Sequence, residues 1–248
     1  MNALTHNRRF CRPKAALTLL LMSIGSLVML LAGLLTAFQA RRFYTESLAA
    51  PLGRLTLRIW GVRVIVHDAP PDSAQQRVYI SNHTSTIDLF VLIALALPNT
   101  RFFMSGFLRK FPPLAIIGYL TGIIWTVPQI FPERRVEIFR RAEQLLRNTG
   151  ESVYLSPEGR RVTGGELGSF NKGSFHLATA LGAPMVPFYI ATPPEVDPGM
   201  GYCAGAGQVD IYFKPPIDTS GWQLADLVSN KERVRNQFLE WHREHRRG

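Results

Sequence analysis

Between Ala15 and Ala40 the chain carries no charged side chain. Its centre, Leu17 to Leu35, is a nearly unbroken series of Leu, Met, Val, Ile and small residues. Few structures accept such a segment. As a helix, about 20 residues cross the hydrocarbon core of a bilayer, and a helix satisfies its own backbone hydrogen bonds there. A secretory signal peptide is the competing reading. Its apolar region is shorter, about 7–15 residues, and its cleavage site carries two small residues separated by one. Cleavage after Ala40 finds Phe38 at the first of those positions, two residues earlier, and cleavage after Ala37 finds Leu35. The segment is therefore read as a retained membrane anchor.

Arg8, Arg9, Arg12 and Lys14 precede the anchor, and Arg41 and Arg42 follow it. Basic residues at both ends give the positive-inside rule little contrast to work on. A second segment, Phe43 to Val62, sets Leu48, Leu52, Leu55, Ile59 and Trp60 on one helical face, with Arg54, Arg58 and Arg63 elsewhere. That is an amphipathic helix with a Trp suited to an interface, kinked or beginning near Pro51. Either the two helices form a hairpin lodged in one leaflet, or the second packs on a globular domain. Residues 1–62 are assigned to the anchor and amphipathic helix, and 63–248 to one further domain. A chain of 248 residues is too short for two independent domains beside an anchor.

In the remainder, strand and helix patterns alternate. Arg63–His67, Arg77–Ser81, Arg101–Ser105, Gly122–Val127, Ser152–Ser156, Met185–Ile190 and Gln208–Phe213 are rich in β-branched and aromatic residues and read as strands. A Pro/Asp turn, Ala69–Ser73, separates the first two. Asp88–Leu97, Glu133–Asn148, Lys172–Leu181 and Trp222–Arg246 read as helices, the second closed by Gly150. The alternation predicts an α/β fold with a mixed or parallel sheet flanked by helices.

The formal charge is +10, mostly from Arg. Such an excess suits nucleic acid, an anionic membrane or an anionic substrate. No groove-reading motif accompanies it, which argues against nucleic acid. The two cysteines, Cys11 and Cys203, have no metal-type spacing. Neither a zinc site nor a disulfide framework is expected, and a reduced domain facing the cytoplasm fits best.

Ser81-Asn-His-Thr-Ser-Thr-Ile-Asp88 follows a predicted strand and enters an apolar helix, with Thr84, Ser85 and Thr86 as N-cap candidates. The turn can bring Asp88 back to one imidazole nitrogen of His83, leaving the other free as a base. A His in this position can take a proton directly from a substrate hydroxyl, with no Ser or Cys nucleophile. Ser156-Pro-Glu-Gly-Arg-Arg161 also follows a strand. There Gly159 permits an unusual backbone angle, Arg160 and Arg161 can clamp a phosphate, and Glu158 can orient an Arg or accept from a hydroxyl. Lys172 and Gly173 open a helix whose start favours an anion.

In this order the motifs resemble the 1-acylglycerol-3-phosphate acyltransferase family of glycerolipid acyltransferases. Asn82, His83 and Asp88 match its Asn-His, four residues, Asp. Pro157, Glu158, Gly159 and Arg161 match its Phe-Pro-Glu-Gly-Thr-Arg, with Ser156 for Phe and Arg160 for Thr. Lys172-Gly173 and Val186-Pro187 match two further motifs, and the resemblance covers roughly residues 60 to 215. It implies a membrane enzyme of lipid synthesis, with His83 as general base and Asp88 orienting it. Glu158, Gly159, Arg160, Arg161, Lys172 and Gly173 would bind substrate. The donor would be acyl-CoA or acyl carrier protein, the acceptor a lyso-lipid, and no metal or tightly bound cofactor is implied. One motif departs: Gly122-Ile-Ile-Trp-Thr-Val-Pro128 places Pro where the family has an Arg for the acceptor phosphate. A lyso-ornithine lipid then stands beside lysophosphatidic acid as acceptor. The rival of another class is a non-catalytic, membrane-associated lipid-binding protein.

Overall fold

The structure, a computed structural model, describes residues 3–68, 75–163, 166–199 and 201–245. The Ala69–Ser73 turn and the last two arginines of the chain lie outside them, as do the side chains of Arg8 and Arg9.

Helix α1 runs Ala3–Leu35, and from Cys11 to Leu35 it is long and apolar enough to cross a membrane. It packs along its length. Cys11, Met22, Ser26 and Met29 form a buried stripe, while Leu17, Leu20, Ile24, Leu27, Leu31 and Leu34 on the other faces are at least half exposed. The stripe rests on α3 (Ala50–Trp60) and on α5 (Pro112–Leu120). Met22 and Met29 meet Tyr44, Ala49, Ile117 and Leu120 in a small core of their own.

Between α1 and α3 the short α2 (Arg41–Phe43) passes into a π-helical stretch, Tyr44–Ala49. Pro51 then sits in the first turn of α3, where its missing N–H is harmless. The kink expected at Pro51 is thus absorbed by the wide turn ahead of it. Trp60 and Leu57 of α3 join the main core.

Seven strands follow: β1 (Val62–His67), β2 (Val78–Ser81), β3 (Thr100–Ser105), β4 (Ile124–Thr126), β5 (Ser152–Tyr154), β6 (Met185–Ala191) and β7 (Gly207–Phe213). They form one mixed sheet in the order β1-β7-β6-β2-β5-β3-β4. Strands β6, β2, β5, β3 and β4 are parallel neighbours. β7 runs antiparallel to β6, and β1 is parallel to β7. Central β2 is buried throughout, as the interior of a parallel sheet requires. Tyr79 faces a core shared with α3 and α4 (Asp88–Leu95). Val78 and Ile80 face a second core built with α6 (Pro132–Thr149), α7 (Gly173–Leu181) and α8 (Leu227–His245). The α/β expectation holds, in three layers.

Three local readings change. Residues 106–120, given no element from sequence, form a 3₁₀ turn (Gly106–Lys110) and α5. The closing helix begins at Leu227 rather than Trp222, because Trp222 stacks on Phe175 with ring centres 6.2 Å apart. The cysteines are also not free: Cys11 and Cys203 form a disulfide across 192 residues. It joins α1 to the loop between β6 and β7, so the free-thiol reading is corrected. Spacing arguments detect local metal and redox motifs, not a pair brought together by tertiary packing.

Candidate active site

In an open parallel sheet, ligands collect beyond the carboxyl ends of the strands. Here the segments leaving β2 and β5 meet at that edge. The peptide after β2 is fixed first. Asn82, almost wholly buried, donates from Nδ2 to Ile190 O at 2.9 Å and accepts from Ile190 N at 2.8 Å. This two-way clamp ties the loop to β6. Ser81 Oγ donates to Asn82 O at 2.9 Å and lies 2.9 Å from the Tyr154 hydroxyl, whose ionisation is pushed up by burial.

His83 Nδ1 donates to Asp88 Oδ2 at 2.8 Å. The same carboxylate oxygen accepts from Thr84 N and Ser85 N, each at 3.0 Å. Three donors hold the buried carboxylate as an acceptor and lock the tautomer with its proton on Nδ1. His83 Nε2 has no hydrogen-bond partner among the described residues, and its side chain is 28% exposed. The cap position moves past Thr84, Ser85 and Thr86 for the same reason. Thr84 and Ser85 give their N–H groups to Asp88, so α4 begins at Asp88 with Ile87 at the cap position. Ser85 Oγ accepts from Ile87 N at 3.2 Å.

The second loop is bound to the first. Glu158 is 2% exposed and accepts from His83 N at 2.6 Å and from Gly168 N at 2.7 Å. Among the described residues it orients no Arg, as the sequence suggested it can; it holds the backbone of His83 and Gly168. Burial pushes its carboxyl up to about 7 against those two hydrogen bonds, which pull it down. Val162 N donates to His83 O at 2.9 Å, so the residue carrying the imidazole is held through both its N–H and its C=O. Arg161 Nη1 donates to Thr86 Oγ1.

Gly159 has φ +64° and would press a Cβ to within 2.8 Å of Asn171 Nδ2. Asn171 shapes this turn, donating from Nδ2 to Glu158 O at 2.8 Å and from its backbone N to Pro157 O at 2.7 Å. Sequence reasoning gave Asn171 no role, because its partners lie more than ten residues away. Arg160 is exposed on the turn and Lys172 is exposed at the start of α7. A Cβ on Gly173 would meet the Phe139 ring at 2.6 Å, so Gly173 lets α7 close on α6. No hydrogen bond joins Lys172 or Gly173 to His83 or Asp88. Arg134 lies over the Phe131 ring at 5.3 Å, and Arg135 donates to Val127 O at 3.0 Å.

Chemically, this edge offers an exposed imidazole nitrogen whose partner nitrogen is fixed by a buried carboxylate, with a guanidinium on the neighbouring loop. Such a constellation has the parts needed to take a proton from a hydroxyl and to pair with an anion. The chain belongs to the acyltransferase family, whose profile, described as Acyltransferase, matches residues 63–191. It is 32% identical over 166 residues to a chloroplast 1-acyl-sn-glycerol-3-phosphate acyltransferase of Arabidopsis thaliana, covering 66% of this chain and 44% of that protein. It is 28% identical over 203 residues to 1-acyl-sn-glycerol-3-phosphate acyltransferase alpha of Homo sapiens, covering 75% of this chain and 66% of that one. The chain thus spans between two fifths and two thirds of the length of these relatives. The crystal structure of the 1-acyl-sn-glycerophosphate (LPA) acyltransferase from Thermotoga maritima superposes with TM-score 0.69 at 23% identity, over 93% of this chain and 97% of that one. It shares the fold.

Proposed function

We propose that the protein is a membrane-anchored O-acyltransferase moving a fatty acyl chain from a thioester to the free hydroxyl of a lyso-phospholipid, 1-acylglycerol-3-phosphate first among them. The observation that carries the reading is the 2.8 Å bond between His83 Nδ1 and Asp88 with Nε2 unengaged. His83 Nε2 removes the hydroxyl proton as the oxygen attacks the thioester carbonyl. Asp88 stabilises the imidazolium, the C–S bond breaks, and the proton passes to the leaving thiolate. Relatives named for this reaction support the acceptor. The donor is acyl-CoA or acyl carrier protein, and no other cofactor takes part. Arg161, and Arg160 beside it, supply the cation for the headgroup.

A lyso-ornithine acceptor is the second reading, favoured by Pro128 at the motif position of the phosphate arginine. A non-catalytic lipid-binding role leaves the oriented His83 without a use. The half-exposed apolar faces of α1 suit burial in one leaflet, since the opposite stripe is occupied by α3 and α5. Thioester donors are cytosolic, which supports a domain facing the cytoplasm. The Cys11–Cys203 bond pulls the other way, because such bonds persist in oxidising compartments; cysteine labelling from each side of sealed vesicles decides. The function is tested with purified protein, radiolabelled acyl donors and a panel of lyso-lipids. Transfer lost in His83→Ala is the expected result, and transfer retained in that variant sinks the mechanism.

A further inference from the structure

Three loops cross at one hydroxyl. Arg161 Nη1 donates to Thr86 Oγ1, and that oxygen donates in turn to Gly201 O at 2.6 Å, with Gly199 O at 3.3 Å. Thr86 belongs to the loop after β2, Arg161 to the loop after β5, and Gly199 and Gly201 to the loop between β6 and β7. A threonine hydroxyl has one proton and two lone pairs. Committing the proton to a backbone carbonyl turns a lone pair toward the guanidinium and fixes the direction in which Nη1 points. The neighbouring residue is tied as well, because Val162 N, one residue on, donates to His83 O at 2.9 Å. Arg161 has no carboxylate partner among the described residues. It has further N–H groups to offer an anion.

We propose that Thr86 is a positioning residue that presents Arg161 to the anionic headgroup of the acceptor, and so sets acceptor affinity without taking part in proton transfer. The inference rests on the acyl-transfer reading above. A phosphate and a carboxylate present the same paired oxygens to a guanidinium fork, so Thr86 serves a lysophosphatidic acid or a lyso-ornithine acceptor alike. The motif gives no sign of this role, because Thr86 occupies one of the four positions between His83 and Asp88 that the family leaves unspecified.

The test compares Thr86→Val, which keeps the shape and removes the hydroxyl, with Thr86→Ser, which keeps the hydroxyl. Both are assayed for the Michaelis constants of acceptor and donor, with lysophosphatidic acid and lyso-ornithine lipid in separate arms. In Thr86→Val, acceptor KM is expected to rise about tenfold, the scale of one hydrogen bond to a charged group. Donor KM and kcat should stay within about twofold, as for a contact that binds ground and transition states equally. Thr86→Ser should restore the wild-type constants. The acceptor that the wild type acylates identifies the anion, and the rise in KM is expected with whichever acceptor it uses. In an Arg161→Ala background, Thr86→Val should add nothing, because both changes remove one interaction. An unchanged acceptor KM in Thr86→Val, a matching fall in kcat with both acceptors, or full additivity with Arg161→Ala overturns the proposal while acyl transfer stands. A wild type that acylates neither acceptor overturns the acyl-transfer reading, and this one with it.

Discussion

Two buried ionic clusters sit at opposite ends of the parallel strands, and they are built to different ends. At the amino-terminal edge Glu151 takes Arg101 on one carboxylate oxygen and Arg41 on the other. Arg41 also donates to Asn99 Oδ1 at 3.0 Å, Arg101 reaches Gly122 O at 3.2 Å, and Gln76 donates to Glu151 O at 2.8 Å. This cluster faces inward, and both oxygens of its carboxylate are occupied by protein. At the carboxyl-terminal edge, Asp88 and Glu158 are as deeply buried, yet the group they serve, His83, keeps one nitrogen open to solvent. Charge directed wholly at protein serves the fold; charge that orients one unspent atom suits the reaction proposed for His83. Four experiments can break or sharpen that contrast.

The largest effect belongs to the open cluster. His83→Ala should lower kcat by about 10²–10⁴-fold while the protein stays folded and in the membrane fraction, read by acyl transfer and by thermal denaturation in detergent. Asp88→Asn should also be severe, because the imidazole loses its orienting anion. The closed cluster should answer in the opposite currency. Glu151→Ala leaves two largely buried guanidinium groups without the carboxylate they share and should destabilise by about 3–5 kcal/mol. Turnover per folded molecule should hold. A Glu151 variant with native stability and reduced turnover would erase the distinction.

The disulfide comes next. Reducing Cys11–Cys203, or replacing Cys11 by Ser, should cost about 2–4 kcal/mol and loosen the loop that carries Gly199 and Gly201. Thiol alkylation of the native protein without reductant, followed by mass measurement, should find neither cysteine modified. The smallest effect is a pH dependence. Glu158 has its carboxyl raised from 4.5 to about 7, so the folded state binds its proton more tightly than the unfolded state does. Its contribution is therefore fully present below about 4.5 and lost as pH climbs to about 7, up to roughly 3 kcal/mol. Stability measured across pH 4 to 8 should fall in the wild type and flatten in that window in Glu158→Gln.

The strands and the two helices with clean periodicity were legible because their signals are local. Glu133–Asn148 carries its apolar face and its closing Gly150 within one window, and the structure places α6 at Pro132–Thr149 with Gly150 at φ +66°. The pairing of His83 with Asp88 was legible for the same reason, five residues apart on one turn. What the sequence concealed is contact across distance. Asn82 reaches Ile190, Glu158 reaches His83, Arg161 reaches Thr86, and Cys11 reaches Cys203. No spacing rule carries such partners. Glu158 shows the cost most directly, since a carboxylate beside two arginines reads as their partner until the fold turns it inward to a backbone N–H. Helix α5 escaped for a compositional reason. It opens on Pro112-Pro113, residues that signal a turn unless the helix begins on them.

The order of strands also governs when the molecule can be completed. β1, the first strand made, pairs only with β7, the last, among the described strands. A ribosome adding about 5–20 residues per second leaves β1 waiting roughly seven to thirty seconds for that partner, with α1 already synthesised ahead of it. During that interval an open strand edge is an invitation to pair with the wrong chain. A nascent chain whose anchor enters the lipid early spends the wait dispersed in a plane, away from soluble neighbours in the same condition. The arrival of β7 covers the inner side of β1, and the loop that precedes β7 carries Cys203, the partner of Cys11 on α1, so the covalent bond ties the first helix to the connection that leads into the last strand.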